Sequence, residues 1–293
     1  MSPPLANRDD GGRRRRGASL LLGLSLALSG CRVEEIAGSL IDFVTTRCPF
    51  GTRLVESPSG QTGFGLAKFR QEWCEYRDDG GRAVRHGPYR EWYDTGRLEE
   101  EGRYRSGVRD GVWTEWYPNG VKKSEVSFVA GKPGGIYTVW HENEQKWEEG
   151  EFAGGKKQGV WRKWHPNGRA ELEAAFVDGV LDRAYRTWHD NGRKHKEGVY
   201  RLGRKEGTWI EWFANGQKRS EMLFHGDRLT DHYVGWHENG QKREEARFVD
   251  GDPEGIYVLW HDNGRKREEG TYVHGKLHGH VTAWDRDGRV WSE

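Results

Sequence analysis

The chain repeats itself every 24 residues over most of its length. The unit is clearest from Gly111 to Gly134, GVWTEWYPNGVKKSEVSFVAGKPG, and its sixth position is tryptophan in every copy. A fixed period of this size is typical of solenoids and arrays, in which each unit buries apolar surface only by stacking on its neighbours. Function is therefore expected in an extended surface before a single cleft. The tryptophan column is Trp92, Trp116, Trp140, Trp164, Trp188, Trp212, Trp236, Trp260 and Trp284.

Composition alone favours disorder, but the placement of the aromatic residues indicates order. Hydrophobic residues make up 34% of the chain and charged residues 32%, values that lean towards an unfolded chain. Against this, the 15 Trp, 11 Tyr and 10 Phe residues lie mostly at fixed positions of the repeat. The 47 Lys and Arg residues balance the 46 Asp and Glu residues, so the molecule has no general field that attracts polyanions. We expect no nucleic-acid partner.

Residues 1–30 are predicted to be a cleaved lipoprotein signal peptide. A basic run, Arg13–Arg16, precedes the apolar stretch Ala18–Leu28, whose 11 residues are too few for a membrane-spanning helix of about 20. The ending Leu28-Ser-Gly-Cys31 resembles the lipobox of bacterial lipoproteins, which implies lipidation of Cys31 and a membrane anchor made by that lipid. Arg32 follows in place of the Asp that retains such proteins in the inner membrane, which favours the outer membrane. An ordinary secretory signal is the alternative.

Two short segments separate this signal from the repeats. Residues 31–47 are predicted to be a lipidated tether with a short amphipathic helix, which covers the open end of the array or lies on lipid. Residues 48–86 are predicted to be a module stapled by a disulfide between Cys48 and Cys74, an even pair in an exported chain. That bond would contribute about 3 kcal/mol in the chain-entropy model.

Residues 87–293 are predicted to form nine β-hairpins, one for each repeat. Positions nine and ten are Asn-Gly in six units, which predicts a two-residue type I′ turn. Glu144 replaces the glycine in the third unit and is expected to be slightly strained. A turn at these positions pairs residues whose positions sum to 19. The first residues of the units are Gly87, Gly111, Gly135, Gly159, Arg183, Gly207, Asp231, Gly255 and Gly279.

This pairing assigns the side chains to two faces. Aromatic residues at positions three and 18 and small residues at position 16 share one face, and the tryptophan column shares the other with glutamate at position 15. Arg219, Arg243 and Arg267 at position 13 are expected across from Trp212, Trp236 and Trp260, with about 0.5 to 1 kcal/mol from each cation–π contact. Links of six residues centred on glycine would join the hairpins. The glutamate column is Glu101, Glu125, Glu149, Glu173, Glu197, Glu221, Glu245, Glu269 and Glu293.

The predicted fold class is thus all-β. It is a single-layer, elongated, twisted sheet of nine 24-residue hairpin repeats with a short N-terminal cap, helical and disulfide-stapled. The pattern Gly-x-Trp-x-x-Trp-Tyr-x-Asn-Gly-x-Lys-x-x-Glu-x-x-Phe-x-x-Gly resembles the MORN-repeat variant of many bacterial proteins, including the YwqK-type family labelled as antitoxins. The resemblance implies a binding or scaffolding module and carries no shared catalytic residue or cofactor.

Three sets of residues could carry chemistry. His141, His165, His189, His237 and His261 form a column at position seven, where Tyr and Phe replace them. Neighbouring copies lie about 10 Å apart, too far to share a zinc ion, so these histidines are interpreted as interchangeable planar rings. His274, His278 and His280 are a weak candidate metal site. The glutamate column is interpreted as structural, accepting hydrogen bonds from Lys, Arg or backbone.

The expected function is that of a non-enzymatic, outer-membrane-anchored lipoprotein whose repeats bind protein, glycan or lipid headgroups in the cell envelope. The alternative is a YwqK-like antitoxin that neutralises a toxin partner. Specificity is expected where copies depart from the pattern: Glu144 and Trp147, Arg183 and His195, and the histidine-rich ninth repeat.

Overall fold

The computed structural model describes residues 48–57 and 70–292, which contain strands and turns and no helix. The predicted signal peptide, Cys31 and the predicted amphipathic helix lie outside the described residues. No helix long and apolar enough to cross a membrane occurs in the described part of the chain. The strands are β1 (Arg53–Glu56), β2 (Arg70–Arg77), β3 (Ala83–Trp92), β4 (Leu98–Arg105), β5 (Val108–Arg109), β6 (Gly111–Trp116), β7 (Lys122–Val129), β8 (Lys132–Trp140), β9 (Lys146–Ala153), β10 (Lys156–Trp164), β11 (Ala170–Val177), β12 (Val180–Trp188), β13 (Lys194–Arg201), β14 (Arg204–Trp212), β15 (Lys218–His225), β16 (Arg228–Trp236), β17 (Lys242–Val249), β18 (Asp252–Pro253), β19 (Gly255–Trp260), β20 (Lys266–Val273), β21 (Lys276–Trp284) and β22 (Val290–Ser292).

The strands form one open antiparallel sheet of 22 strands. Neighbours in sequence are neighbours in the sheet, from the pairing of β1 with β2 to that of β21 with β22. Strands β5 and β6 both pair with β4, because they are two parts of one strand divided at Asp110. In the same way β18 and β19, divided at Glu254, both pair with β17. The predicted all-β fold of hairpin repeats is confirmed.

The Asn-Gly turns have three loop residues, so the predicted type I′ turn is wrong at this site. Tyr117 N donates to Val121 O, and Gly120 N donates to Tyr117 O at 2.8 Å. Gly120 is left-handed with φ 89°, whereas Asn119 is not. This is the arrangement of a type I turn followed by one left-handed residue. Asn119 keeps its ordinary conformation because its Oδ1 accepts a hydrogen bond from Val121 N at 2.9 Å.

Type I′ turns occur instead at the opposite end of the hairpins, where six-residue links were predicted. Ser106 and Gly107 are both left-handed, with φ 48° and 86°, and Arg105 pairs with Val108 across them. A two-residue loop with positive φ at both residues continues the strands without a break. The other residues that precede the glycine or aspartate of these turns are left-handed too: Ala130, Gly154, Asp178, Leu202, Gly226, Asp250 and His274.

A β-bulge at position 13 reconciles the longer turn with the predicted register. Trp116 pairs with Lys122 and Glu115 pairs with Ser124, which leaves Lys123 as the extra residue. Beyond the bulge the positions sum to 19 as predicted, so Trp113 faces Val126.

The same bulge overturns the predicted contacts of Arg219, Arg243 and Arg267 with the tryptophan column. Trp212, Trp236 and Trp260 pair with the position-12 residues Lys218, Lys242 and Lys266. Arg219 lies 5.8 Å from the ring centroid of Phe213, and Arg243 bonds Glu244. The extra residue turns position 13 to the face that carries positions three and seven.

We call the face with positions three, 16 and 18 the core face, because the most buried side chains lie on it. Trp113, Trp161 and Trp209 are only 1 to 2% exposed. Trp113 lies flat on Gly102 of the preceding repeat, where a Cβ atom would be 2.2 Å from its ring. Tyr104 packs edge-on at 4.9 Å, and the Arg109 guanidinium lies 4.0 Å from the Trp113 centroid.

This packing unit spans two repeats. Trp161 lies on Gly150 and Trp209 on Gly198 in the same manner, under Lys157 and Lys205. Larger position-16 residues are each followed by tyrosine at position three of the next repeat, and these residues are Val126, Ala174, Met222 and Ala246. The first six repeats therefore alternate between two packing roles.

The N-terminal strands extend the same sheet. The predicted disulfide between Cys48 and Cys74 is present, with a Cα–Cα distance of 5.5 Å. Cys74 is 1% exposed. Gly87 is left-handed, and a Cβ atom there would lie 2.7 Å from Pro49, so the first repeat packs closely on the disulfide.

Candidate binding surface

The second face of the sheet carries tryptophan at position six, lysine at position 12 and glutamate at position 15, and we call it the Trp–Glu face. All nine tryptophans of the column are half-buried. Lys122 Nζ lies 2.7 Å from Glu125 Oε2 of its own strand and 5.4 Å from the ring centroid of Trp140 in the next repeat. Each lysine thus connects a carboxylate to the neighbouring ring.

The same contact recurs along the face. Lys194, Lys218 and Lys242 bond the glutamates three residues later at 2.6 to 2.7 Å and lie 5.4 to 5.7 Å from the next tryptophan. Because these ion pairs are partly exposed, each contributes no more than about 1 kcal/mol. In the first and fourth repeats, where position 12 is not lysine, arginine supplies the cation. Arg90 bonds Glu101 at 2.9 Å, and Arg162 and Arg186 bond Glu173 at 3.2 Å.

Exposed aliphatic side chains extend the Trp–Glu face towards the type I′ turns. Val112, Ile136, Val160 and Ile256 occupy position two, which alternation places on the same face as position six. Ile136 is 66% exposed and Ile256 is 63% exposed. Exposed apolar residues that recur along one face are typical of an interaction surface.

Position seven forms a ladder of hydrogen-bond donors between repeats. Tyr117 Oη donates to Trp140 O at 2.9 Å, and His141 Nε2 lies 3.1 Å from Trp164 O. The remaining histidines of the predicted column and Tyr93 make the equivalent contact. The shared property of these rings is therefore a donor at the tip, which the interpretation as interchangeable planar rings missed. Phe213 lacks this donor.

The asparagines at position nine form a second ladder. Asn167 Nδ2 donates to Asp190 O at 2.8 Å, and Asn143, Asn191, Asn215, Asn239 and Asn263 contact the next repeat in the same way. Each of these six turns is therefore bonded to the next turn of the sheet.

The candidate metal site is not assembled. His274 lies in a type I′ turn, where its backbone N donates to Glu254 Oε2 at 2.7 Å, and His278 pairs with Thr271 in the strand. No group of three His, Cys, Asp or Glu side chains within residues 48–57 and 70–292 is placed to hold a metal ion.

A cleft of about 150 Å³ lies on the core face beside the first two turns. Its carboxylates are Glu91, Glu99, Glu100 and Glu115, and Lys123 is its one lysine. Burial, with the charge of Glu91, raises the pKa of Glu99. Burial also raises the pKa of Glu100, although Arg109 opposes this effect.

The position-13 residues form a line on the core face that we call the bulge row. Its members in chain order are Glu99, Lys123, Trp147, Glu171, His195, Arg219, Arg243, Arg267 and Trp291. Arg243 Nη2 lies 3.5 Å from Tyr233 Oη, which places the row beside the position-three rings. Two predicted departures from the pattern, Trp147 and His195, lie in this row.

These departures differ in their surroundings. Trp147 is 39% exposed and has Lys163 Nζ 5.3 Å from its ring centroid. His195 stacks on His189 at 4.4 Å, and burial together with His189 lowers the pKa of His195. The two backbone departures, Glu144 and Arg183, are left-handed with φ 67° and 76°.

Comparison with known proteins identifies the repeat type. No curated protein matches the chain. The MORN repeat variant matches residues 85–106, 109–130 and 205–225, which correspond to the first, second and sixth hairpins. Three of the nine hairpins thus match the MORN repeat variant, and the other six share the period and the fold of these three.

Proposed function

We propose that this protein is a non-enzymatic, membrane-anchored lipoprotein whose Trp–Glu face binds a partner in the cell envelope. The observation that carries the proposal is the difference between the two faces of the sheet. Five of the eight aromatic rings at position three of the core face are buried, whereas all nine tryptophans of the other face are half-exposed beside exposed valine and isoleucine. The buried rings are Tyr89, Trp113, Trp161, Trp209 and Tyr257.

The chemistry of the Trp–Glu face favours a largely uncharged partner surface. Its lysines and glutamates already bond one another, so they offer few free charges to an ionic ligand. Aromatic rings edged by aliphatic side chains and paired polar groups suit sugar rings, peptide backbone or the region below lipid headgroups. Because this group of tryptophan, lysine and glutamate side chains recurs about every 10 Å along the sheet, weak contacts add up when the ligand is also extended or repeated.

A membrane anchor would place this face in the envelope. The motif that ends in Cys31 supports the anchor, and the disulfide between Cys48 and Cys74 is suited to an oxidising compartment. Cys31→Ala should move the protein from the membrane fraction to the soluble fraction of the envelope. Unchanged fractionation would disprove the lipid anchor and leave the binding surface untouched.

Binding is tested with three defined probes: purified cell-wall glycan, vesicles of outer-membrane lipid, and detergent-solubilised envelope protein. The Ile136→Asp and Ile256→Asp double variant should lose retention of whichever probe binds the wild type, because it places charge on the exposed apolar edge of the face. Leu202→Asp is the matched control, since Leu202 is 80% exposed in a turn. Equal retention of the wild type and the double variant by every probe would refute the proposal.

A further inference from the structure

The bulge row has a strong charge asymmetry along its length. Its first half contains the carboxylates Glu99 and Glu171, and its second half contains Arg219, Arg243 and Arg267. Charge therefore separates along the length of this row.

Four charges of the row have no ion-pair partner among residues 48–57 and 70–292. Glu99 Oε2 is buried without a hydrogen bond, and Glu171 bonds no cation. Arg219 lies beside the ring of Phe213, and Arg267 is exposed. Lys123 and Arg243, by contrast, are neutralised within the chain by Glu115 and Glu244.

We propose that two copies of this chain associate antiparallel through their bulge rows, core face to core face. In this arrangement the first repeat of one copy meets the eighth repeat of the other, and the fourth meets the fifth. Glu99 then faces Arg267, Trp147 faces Arg219, and Glu171 faces His195. In the remaining pair two cations, Lys123 and Arg243, face each other. Each of them already has a carboxylate partner in its own chain, which reduces their repulsion.

The periodicity of the sheet keeps these pairs in register. Both copies have the same rise of about 10 Å per repeat and the same twist, and sheets of equal twist stack face to face about 10 Å apart. A two-fold axis between the fourth and fifth repeats makes every pair occur twice. The Trp–Glu faces of both copies point outward, so the association leaves the proposed binding surface free.

Other registers match less well. A parallel pair would set Glu99 against Glu99 and the three arginines against one another, and like charges in contact disfavour association. Among antiparallel registers, a shift of one repeat in one direction sets Glu171 against itself. A shift in the other direction sets Glu99 against Trp291 and Lys123 against Arg267. Of these registers, only the proposed one sets Glu99 against an arginine without setting Glu171 against itself.

Sedimentation velocity over a concentration series tests the association. The chain carries Cys31→Ala in all samples, so that lipid cannot cause assembly. We expect a dimer that weakens with salt, because its ion pairs lie near the surface. Glu99→Arg and Arg267→Glu should each raise the dissociation constant roughly tenfold or more, and the double variant should restore it, since attraction returns with the signs exchanged.

Glu142→Arg is the matched control, because it makes the same charge change on an exposed turn away from the row. Glu99→Arg is not expected to unfold the chain, since it removes a carboxylate from a cleft that has four. A protein that stays monomeric at its highest soluble concentration would overturn the proposal. So would a dimer that Glu99→Arg and Glu142→Arg affect equally.

Cross-linking tests the direction of the two copies. A chain with Glu99→Cys is mixed with a chain with Arg267→Cys and treated with a short bis-maleimide, because sheets about 10 Å apart hold the two Cα atoms beyond the roughly 7 Å that a disulfide can span. Cross-links should form in the mixture and not in either sample alone, because the two sites of one chain are seven repeats, about 70 Å, apart. Cross-links in the Glu99→Cys sample alone would show a parallel pair and refute the antiparallel arrangement.

Discussion

Replacing Gly150 with alanine should destabilise the array although alanine is the better strand residue. The new Cβ atom would lie 2.2 Å from Cδ2 and 2.3 Å from Cε2 of Trp161. The ring cannot retreat, because Lys157 Nζ lies 3.7 Å from its centroid and the rings of Tyr137 and Phe152 lie at 5.4 and 4.9 Å. The substitution therefore forces Trp161 out of its place or bends the strand.

The magnitude follows from two opposing effects. Removing glycine from a strand interior gains about 0.5 to 1 kcal/mol. Overpacking a filled site costs about 1 to 3 kcal/mol, and losing the burial of Trp161, which is 1% exposed, costs about 3 to 5 kcal/mol. A separation of 2.2 Å requires movement of the ring, so the larger cost applies. The expected net loss of unfolding free energy is about 2 to 4 kcal/mol.

Urea denaturation followed by tryptophan fluorescence measures this loss. Gly134→Ala is the matched control, because the nearest atom to its Cβ atom would be Val129 Cγ2, at 3.3 Å, and Val129 is 65% exposed. We expect the control to change the unfolding free energy by less than about 1 kcal/mol. If Gly150→Ala shifts the midpoint no more than Gly134→Ala does, the packing account of the core face is wrong.

A double variant separates the clash from any general effect of alanine. Ala174 precedes Tyr185 at the equivalent positions two strands later, which shows that alanine and tyrosine fit together there. Adding Trp161→Tyr to Gly150→Ala should therefore cost less than the sum of the single changes. Additive losses would mean that Gly150 and Trp161 are not coupled.

Three further predictions concern single residues. Phe213→Tyr should stabilise the protein by about 1 kcal/mol in urea denaturation, because it supplies the missing donor to Trp236 O; no gain would refute the donor ladder. Arg183→Gly should raise the thermal midpoint, since it relieves a left-handed residue with φ 76° at a cost of about 1 to 2 kcal/mol; a lower midpoint would contradict the strain. Burial and the hydrogen bond to Glu244 raise the pKa of Tyr233 to about 12. The protonated Tyr233 hydroxyl therefore contributes fully to the free energy of unfolding below pH about 10, and this contribution is lost as pH rises towards 12. The Tyr233→Phe variant should not lose this stability between pH about 10 and 12, and identical profiles of stability against pH for the wild type and the variant would refute the prediction.

The faces of the sheet could be predicted from the sequence because side chains alternate along a strand and the repeat holds its register. The pairing of Trp113 with Val126 and the burial of Trp113, Trp161 and Trp209 on one face follow from this arithmetic. The turn type could not be predicted, since Asn-Gly is compatible with more than one hairpin loop. The choice depends on bonds such as Asn167 Nδ2 to Asp190 O, which form only between stacked repeats.

The candidate surface was predicted only in part for a related reason. The tryptophan and glutamate columns are visible as periodic residues, but the lysine that joins them contacts a ring one repeat away, as Lys122 does with Trp140. The bulge row was missed because one extra residue per hairpin reverses the face of position 13. A signal for it was present in the sequence, where position 13 is the column whose residues vary most in charge.

The pairing of glycine with tryptophan across neighbouring repeats also limits how such a gene can change in length. Loss of the third repeat alone would seat Trp161 on Val126, a side chain in the space that only glycine leaves open. Loss of the second and third repeats together would seat Trp161 on Gly102 and restore the native fit. Within the first six repeats, recombination between copies therefore preserves the fold in steps of 48 residues. Such a gene is expected to gain or lose repeats in pairs, although the sequence pattern itself recurs in every single repeat.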